Sequence, residues 1–140
     1  MRVIPFLALV IWIQGCSEKI SQSDLNQLNG YWEIEKVVLP DGSTKEYTVN
    51  TMVEFIKMDS LSGYRKKVQP RFDGTFGTSD DAEFFTVIEQ AGTFILHYKN
   101  EMSEWDETLE ELSDTSFSVS NASETVYNYK RFDPINVQQK

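Results

Sequence analysis

The chain is poorest in the residues that staple small domains or do chemistry: one cysteine and one histidine in 140 residues. A single cysteine, Cys16, leaves no intramolecular disulfide, so stability has to come from packing. A lone histidine, His97, comes with no pattern of further ligands for zinc and no nucleophile and orienting acid for a catalytic triad. Positive charge is also short, with 13 Lys and Arg against 22 Asp and Glu and a net charge of −9. That balance argues against nucleic acid, whose phosphates would be repelled. Long apolar runs are missing too. The longest, Val3 to Ile13, is too short to cross about 30 Å of hydrocarbon as a helix. What is plentiful is aromatic residue, 13% of the chain, spread from end to end, and this favours a β-rich core over a helical bundle.

The apolar run follows one positive residue, Arg2, and ends at Ile13-Gln14-Gly15-Cys16. This layout is that of a secretory signal, and the four residues resemble the lipobox of bacterial lipoproteins. The resemblance implies removal of residues 1–15 as a signal peptide, with palmitate or a related acyl chain on Cys16 as the first mature residue. Ser17 in the next position, rather than Asp, implies the outer membrane of a Gram-negative envelope. Loss of Arg2 takes the net charge to −10, and an acidic body is expected to be held off anionic lipid, tethered and not adsorbed. Ser17 to Gln27 is polar apart from Ile20 and Leu25, so residues 16–27 read as the lipidated cysteine and a flexible leash.

Residues 28–132 read as one β domain, with 133–140 as a tail. Leu28-Asn29-Gly30-Tyr31-Trp32 opens it and the strand-like Glu33 to Leu39 follows. Further strands are predicted at Val53 to Lys57, Gly63 to Phe72, Thr75 to Thr78, Ala82 to Gln90, Thr93 to Lys99, Trp105 to Leu112, Ser116 to Ser120 and Thr125 to Phe132. Turn-formers separate them, and Asp73-Gly74 predicts a two-residue primed turn. Residues 103–112 admit two readings. Ser103 with acids behind it looks like a helix N-cap, with Trp105, Leu109 and Leu112 at helical spacing; the turn at Ser113 to Thr115 instead makes the segment half of a hairpin, and strand is preferred.

Short strands at this spacing with no intervening helix point to an antiparallel barrel or sandwich. Gly30-Tyr31-Trp32, Phe72-Asp73-Gly74-Thr75-Phe76, Leu109 to Leu112 before Ser113-Asp114, and Tyr127-Asn128-Tyr129-Lys130-Arg131 resemble the short lipocalin-like domains of bacterial lipoproteins. The resemblance implies an all-β, single antiparallel up-and-down β-barrel of about eight strands. It also implies that a basic residue near the end, Arg131 or else Lys130, packs over Trp32 beside Gly30 to close the barrel.

Phe55, Phe85, Val87, Phe94, Leu96, Trp105, Tyr127 and Tyr129 are the candidate inward residues, as ligand lining or as core. Arg65-Lys66-Lys67 with Arg71 is the one basic cluster, read as a surface patch for an anion or as an edge strand made unreceptive to pairing. Glu101, Glu104, Asp106, Glu107, Glu110 and Glu111 lack calcium-loop spacing and read as a solvated face. No metal, cofactor or catalytic group is expected. The function these readings favour is non-catalytic binding of a small, mainly apolar ligand in the barrel of a lipid-anchored envelope protein. The alternative is an envelope interaction or assembly module with a filled barrel.

Overall fold

A computed structural model describes residues 19–48, 52–78 and 81–133. Arg2, the apolar run, the lipobox with Cys16, and residues 134–140 of the tail lie outside the described residues. The described chain is all β apart from one short helix. In order it forms a 3-10 helix (Gln22–Leu28) and strands β1 (Gly30–Val38), β2 (Thr44–Glu46), β3 (Val53–Asp59), β4 (Ser62–Pro70), β5 (Phe76–Thr78), β6 (Glu83–Gln90), β7 (Thr93–Lys99), β8 (Glu104–Leu112), β9 (Ser116–Ser120) and β10 (Val126–Arg131). Each long strand pairs antiparallel with its neighbour, in the order β10, β9, β8, β7, β6, β4, β3, β1, and β10 returns to pair β1. Eight strands therefore close into the up-and-down barrel that the lipocalin resemblance implies, and closure leaves the barrel itself no open edge. The short β2 and β5 sit outside that ring, on β1 and β4.

Residues 104–112 are strand, paired to β7 on one side and β9 on the other. Their helical spacing is a by-product of a bulge between Leu109 and Glu111, which shifts the inward phase by one residue. A second bulge, between Ile34 and Lys36, lets Trp32 and then Val37 both reach buried positions on β1.

Two turns differ from expectation. At Asp73-Gly74 the loop runs from Arg71 to Thr75, closed by Arg71 N–H to Thr75 O at 2.8 Å and Gly74 N–H to Arg71 O at 3.1 Å, and only Gly74 has positive φ. Asp73 instead accepts from the Thr75 N–H and hydroxyl, which favours the longer loop. A two-residue primed turn is found instead at Ala91-Gly92, where φ is +52° and +81° and Gln90 faces Thr93.

The leash is the larger correction. Residues 22–28 are a helix, Leu25 and Leu28 are buried, and Ser21 caps it reciprocally with Asp24. Two leucines, each contributing about 1.5–3 kcal/mol when buried, outweigh the polar residues between them. They join Trp32, Ile56, Met58, Phe94, Leu109 and Phe117 in one core and stop the lower end of the barrel.

Arg131 fastens this plug. Its guanidinium lies 3.7 Å over the Trp32 ring and donates to Asn29 O at 2.6 Å, Gln27 O at 2.8 Å and Asp114 O at 3.1 Å. Lys130, the other choice, points outward and pairs with Glu33 at 3.2 Å. Arg131→Met is expected to lower stability by about 2–4 kcal/mol, from the lost cation–π contact and the orphaned carbonyls, measured by urea unfolding. A change below about 0.5 kcal/mol, the usual surface value, would show that the fastening is dispensable.

Candidate functional site

Alternation along the strands decides what the barrel holds. In its lower half Trp32 meets Phe117 edge-on at 4.7 Å, and Phe117 stacks on Tyr129 at 4.7 Å. Phe85, Val87, Phe94 and Leu96 lie in the same buried cluster. Trp105 and Tyr127 are half-buried against it, with Trp105 stacked on Tyr98 at 5.0 Å. Of the eight candidate lining residues, seven thus face inward, and the deep ones are packed against one another. Phe55 does not. Glu54, Ile56 and Met58 take the inward positions of β3, and Phe55 lies on the outer wall between Tyr31 and Tyr64.

Above the aromatic layer the interior turns ionic. Arg65 projects inward from β4, 13% exposed, and its guanidinium bonds Glu83 at 3.0 Å and Glu107 at 3.2 Å, with Glu54 at 3.8 Å. It also lies 4.8 Å over the Tyr98 ring. Burial works to lower the pKa of Arg65, and Glu54, with further help from Glu107, more than reverses it, so the group is held charged. Burial pushes Glu54 upward despite Arg65, and its Oε2 is buried with no hydrogen-bond partner. Burial likewise raises the Tyr98 and Tyr129 phenols above their ordinary range, keeping both neutral. A pocket of about 320 Å³ opens over this cluster, lined by Met52, Arg65, Lys67, Asp81 and Glu83.

The expected basic surface patch is therefore divided. Consecutive strand residues face opposite ways, so Arg65 and Lys67 belong to the mouth. Lys66 lies outside, 5.6 Å over the Tyr64 ring, and Arg71 starts the β4–β5 loop beside Gly77. Of the three interior glutamates, Glu54 and Glu83 drew no reading from the sequence, and Glu107 is a correction, because it is buried against Arg65 and not part of a solvated face. Their signal was there: Glu54, Glu83 and Glu107 each stand two residues from an inward apolar side chain, in phase with Ile56, Phe85 and Leu109.

On the outer wall His97 is clasped by Asp106 through Nδ1 at 2.5 Å and by Glu104 through Nε2 at 2.8 Å. Thr86 is its cross-strand neighbour, but both ring nitrogens are occupied, so the imidazole has none left to take a proton from that hydroxyl. The hydrogen bond that His97 donates to Asp106, opposed by some desolvation, raises the His97 pKa. A raised histidine pKa stabilises the fold below the unfolded value and loses that contribution as pH rises through the folded one. Among the described residues no group of His, Cys, Asp and Glu is arranged to hold a metal ion.

No protein-family model matches the sequence, and no curated protein matches it. Among solved structures the chain is similar to a lipocalin-like protein from Bacteroides uniformis, at 14% identity and a TM-score of 0.48, over 76% of this chain and 99% of that one.

Two measurements test the electrostatics. The His97 ring should titrate by NMR above its ordinary 6.5, and Asp106→Asn should bring the midpoint back down; an unchanged midpoint would dissolve the clasp. Arg65→Met should cost about 3–5 kcal/mol because it strands buried carboxylates, and adding Glu54→Gln and Glu107→Gln should recover most of the loss.

Proposed function

We propose that this chain is a lipid-tethered, non-catalytic binding protein of the cell envelope that takes a small amphiphile at the mouth of its barrel. The observation that carries the reading is the pocket of about 320 Å³ above Arg65, which lies at the lower end of ligand-site volumes. The aromatic layer beneath is closed by its own ring contacts, so the ligand sits high and presents a polar group to a polar lining. This narrows the mainly apolar ligand expected from composition to one with a short apolar part. Attachment is through lipid on Cys16, as the lipobox resemblance implies.

The filled lower half also favours a second reading, an envelope interaction module whose outer surface does the work. The two part on a simple titration. Octanoate or octylamine should change the emission of Trp105 saturably, because its partner ring Tyr98 lies directly under Arg65. Lys67→Glu at the mouth should weaken octanoate roughly tenfold, a change of about 1.4 kcal/mol, and leave octylamine no weaker. No saturable response to either probe would overturn ligand binding and leave the interaction module.

The tether has its own test. Cys16→Ser should move the protein from the membrane to the soluble fraction with an unchanged urea midpoint. Retention on the membrane would remove the lipid from the reading.

A further inference from the structure

The outer wall of the barrel is not uniform. Across β3, β4 and β6 one row of outward side chains runs Lys57, Tyr64, Phe84, and the β6–β7 register sets Lys99 beside Phe84. Tyr64 and Phe84 are in ring contact at 6.0 Å, yet Phe84 remains 62% exposed. Lys66 lies just above, and Leu61 and Ile88, both exposed, extend the apolar surface toward the lower end. Between Tyr64, Phe84, His97 and Lys99 runs a groove of about 460 Å³. The next strand differs sharply, since β8 turns Glu104, Asp106 and Glu110 outward. On the other side Asp59, the last residue of β3, follows Lys57 in the outward phase.

The position of the chain's first described residues says what covers this face. Lys19 and Ile20 lie against Gly92, Thr93 and Phe94 at the β6–β7 turn and against Leu109 and Glu110 of β8. Cys16 is three residues earlier, at most about 11 Å of extended chain. A lipid on Cys16 pins that turn within one headgroup layer of the bilayer, and the barrel can lean onto only one of the two walls that meet there. The acidic β8 wall would be repelled by anionic lipid. The other offers exposed aromatic and aliphatic groups ringed by Lys57, Lys66 and Lys99, which is the composition of a membrane interface.

We propose that the outer wall of β4 and β6, centred on Tyr64 and Phe84, lies on an anionic phospholipid surface and orients the barrel there. The inference rests on the lipid tether of the proposed function. It also departs from the expectation that net negative charge holds the body off the membrane, because a net charge averages over walls of opposite character.

The acylated full-length chain, carrying a fluorophore on Phe84→Cys or Ile88→Cys, is placed in phosphatidylcholine vesicles with or without phosphatidylglycerol and with spin-labelled lipid as quencher. Labels at Glu110→Cys and Asn128→Cys serve as the comparison. Quenching at positions 84 and 88 should exceed that at 110 and 128 several-fold and grow with the anionic lipid. Lys66→Glu with Lys99→Glu should abolish the difference while the protein stays vesicle-bound. Equal quenching at all four positions on a vesicle-bound chain would overturn the orientation and leave the tether intact. Energy transfer between position-84 labels on two copies would overturn it in favour of self-association. A chain that floats free with Cys16 intact would remove the tether and the orientation together.

Discussion

The contact between Arg131 and Trp32 ties the first strand, the last strand and the helix that plugs the barrel into one unit. Arg131 ends the last strand and Trp32 lies near the start of the first, so their stacking secures the seam where β10 meets β1. The same guanidinium takes the carbonyls of Gln27 and Asn29, and the Trp32 indole N–H takes that of Leu28 at 2.8 Å. The helix that plugs the barrel thus has carbonyls at its C-terminal end satisfied by the two residues that close the seam. Gly30 is part of the same unit. Its φ is +124°, and a Cβ there would stand 2.6 Å from the Arg131 guanidinium nitrogen. A side chain at position 30 would meet both a backbone penalty and a collision with the group that locks the plug.

Closing one end this firmly shapes what the other end does. With Leu25, Leu28 and the stacked rings filling the lower half, the inward positions nearer the mouth are where polar side chains can be kept. The Arg65 cluster uses them at a cost. Its carboxylates outnumber its cation, and buried ion pairs rarely exceed apolar packing in stability. An apolar residue at position 65 with glutamine at 54 and 107 would fill similar space without the desolvation. The charges therefore add polarity at the mouth more than they add stability, and this is what separates the site from a generic apolar cavity.

How much of this was legible follows from which rule governs each residue. Strand positions, all but the short β2, follow from alternation and turn residues, and the barrel and its Gly30–Trp32–Arg131 closure follow from family-like motifs. The helix at 22–28 was hidden because a two-leucine plug in polar sequence has the composition of a linker, and burial by a distant barrel is not a local signal. Phe55 departs from expectation because apolar character does not by itself make a strand residue face inward. Its neighbour Glu54 holds the inward phase for Arg65, on another strand. Arg65, Lys66 and Lys67 were read together because they are adjacent in sequence, whereas a strand separates neighbours and unites residues two apart. Ala91-Gly92 was passed over as a primed turn for the more usual Asp-Gly pair; at Asp73 the side chain's own hydrogen bonds to Thr75 decided the loop.

The helix has one more effect, on reach. As a free leash, residues 17–27 would let the domain sample on the order of 36 Å above a membrane, and no wall of the barrel would face the lipid more than another. With residues 22–28 packed as a plug, much of that length is returned to the barrel, and Lys19 lies at the β6–β7 turn. A short tether converts a weak surface preference into an orientation, because the surface concentration it imposes rises as its span falls. With the proposed anchor in place, three lysines and a few aromatic rings that would not hold a free protein to lipid would choose which wall lies down. In the proposed pose the mouth, at the opposite end of the strands from the plug, would stay clear of the anchor. The plug that closes the barrel would thus also set where its open end points.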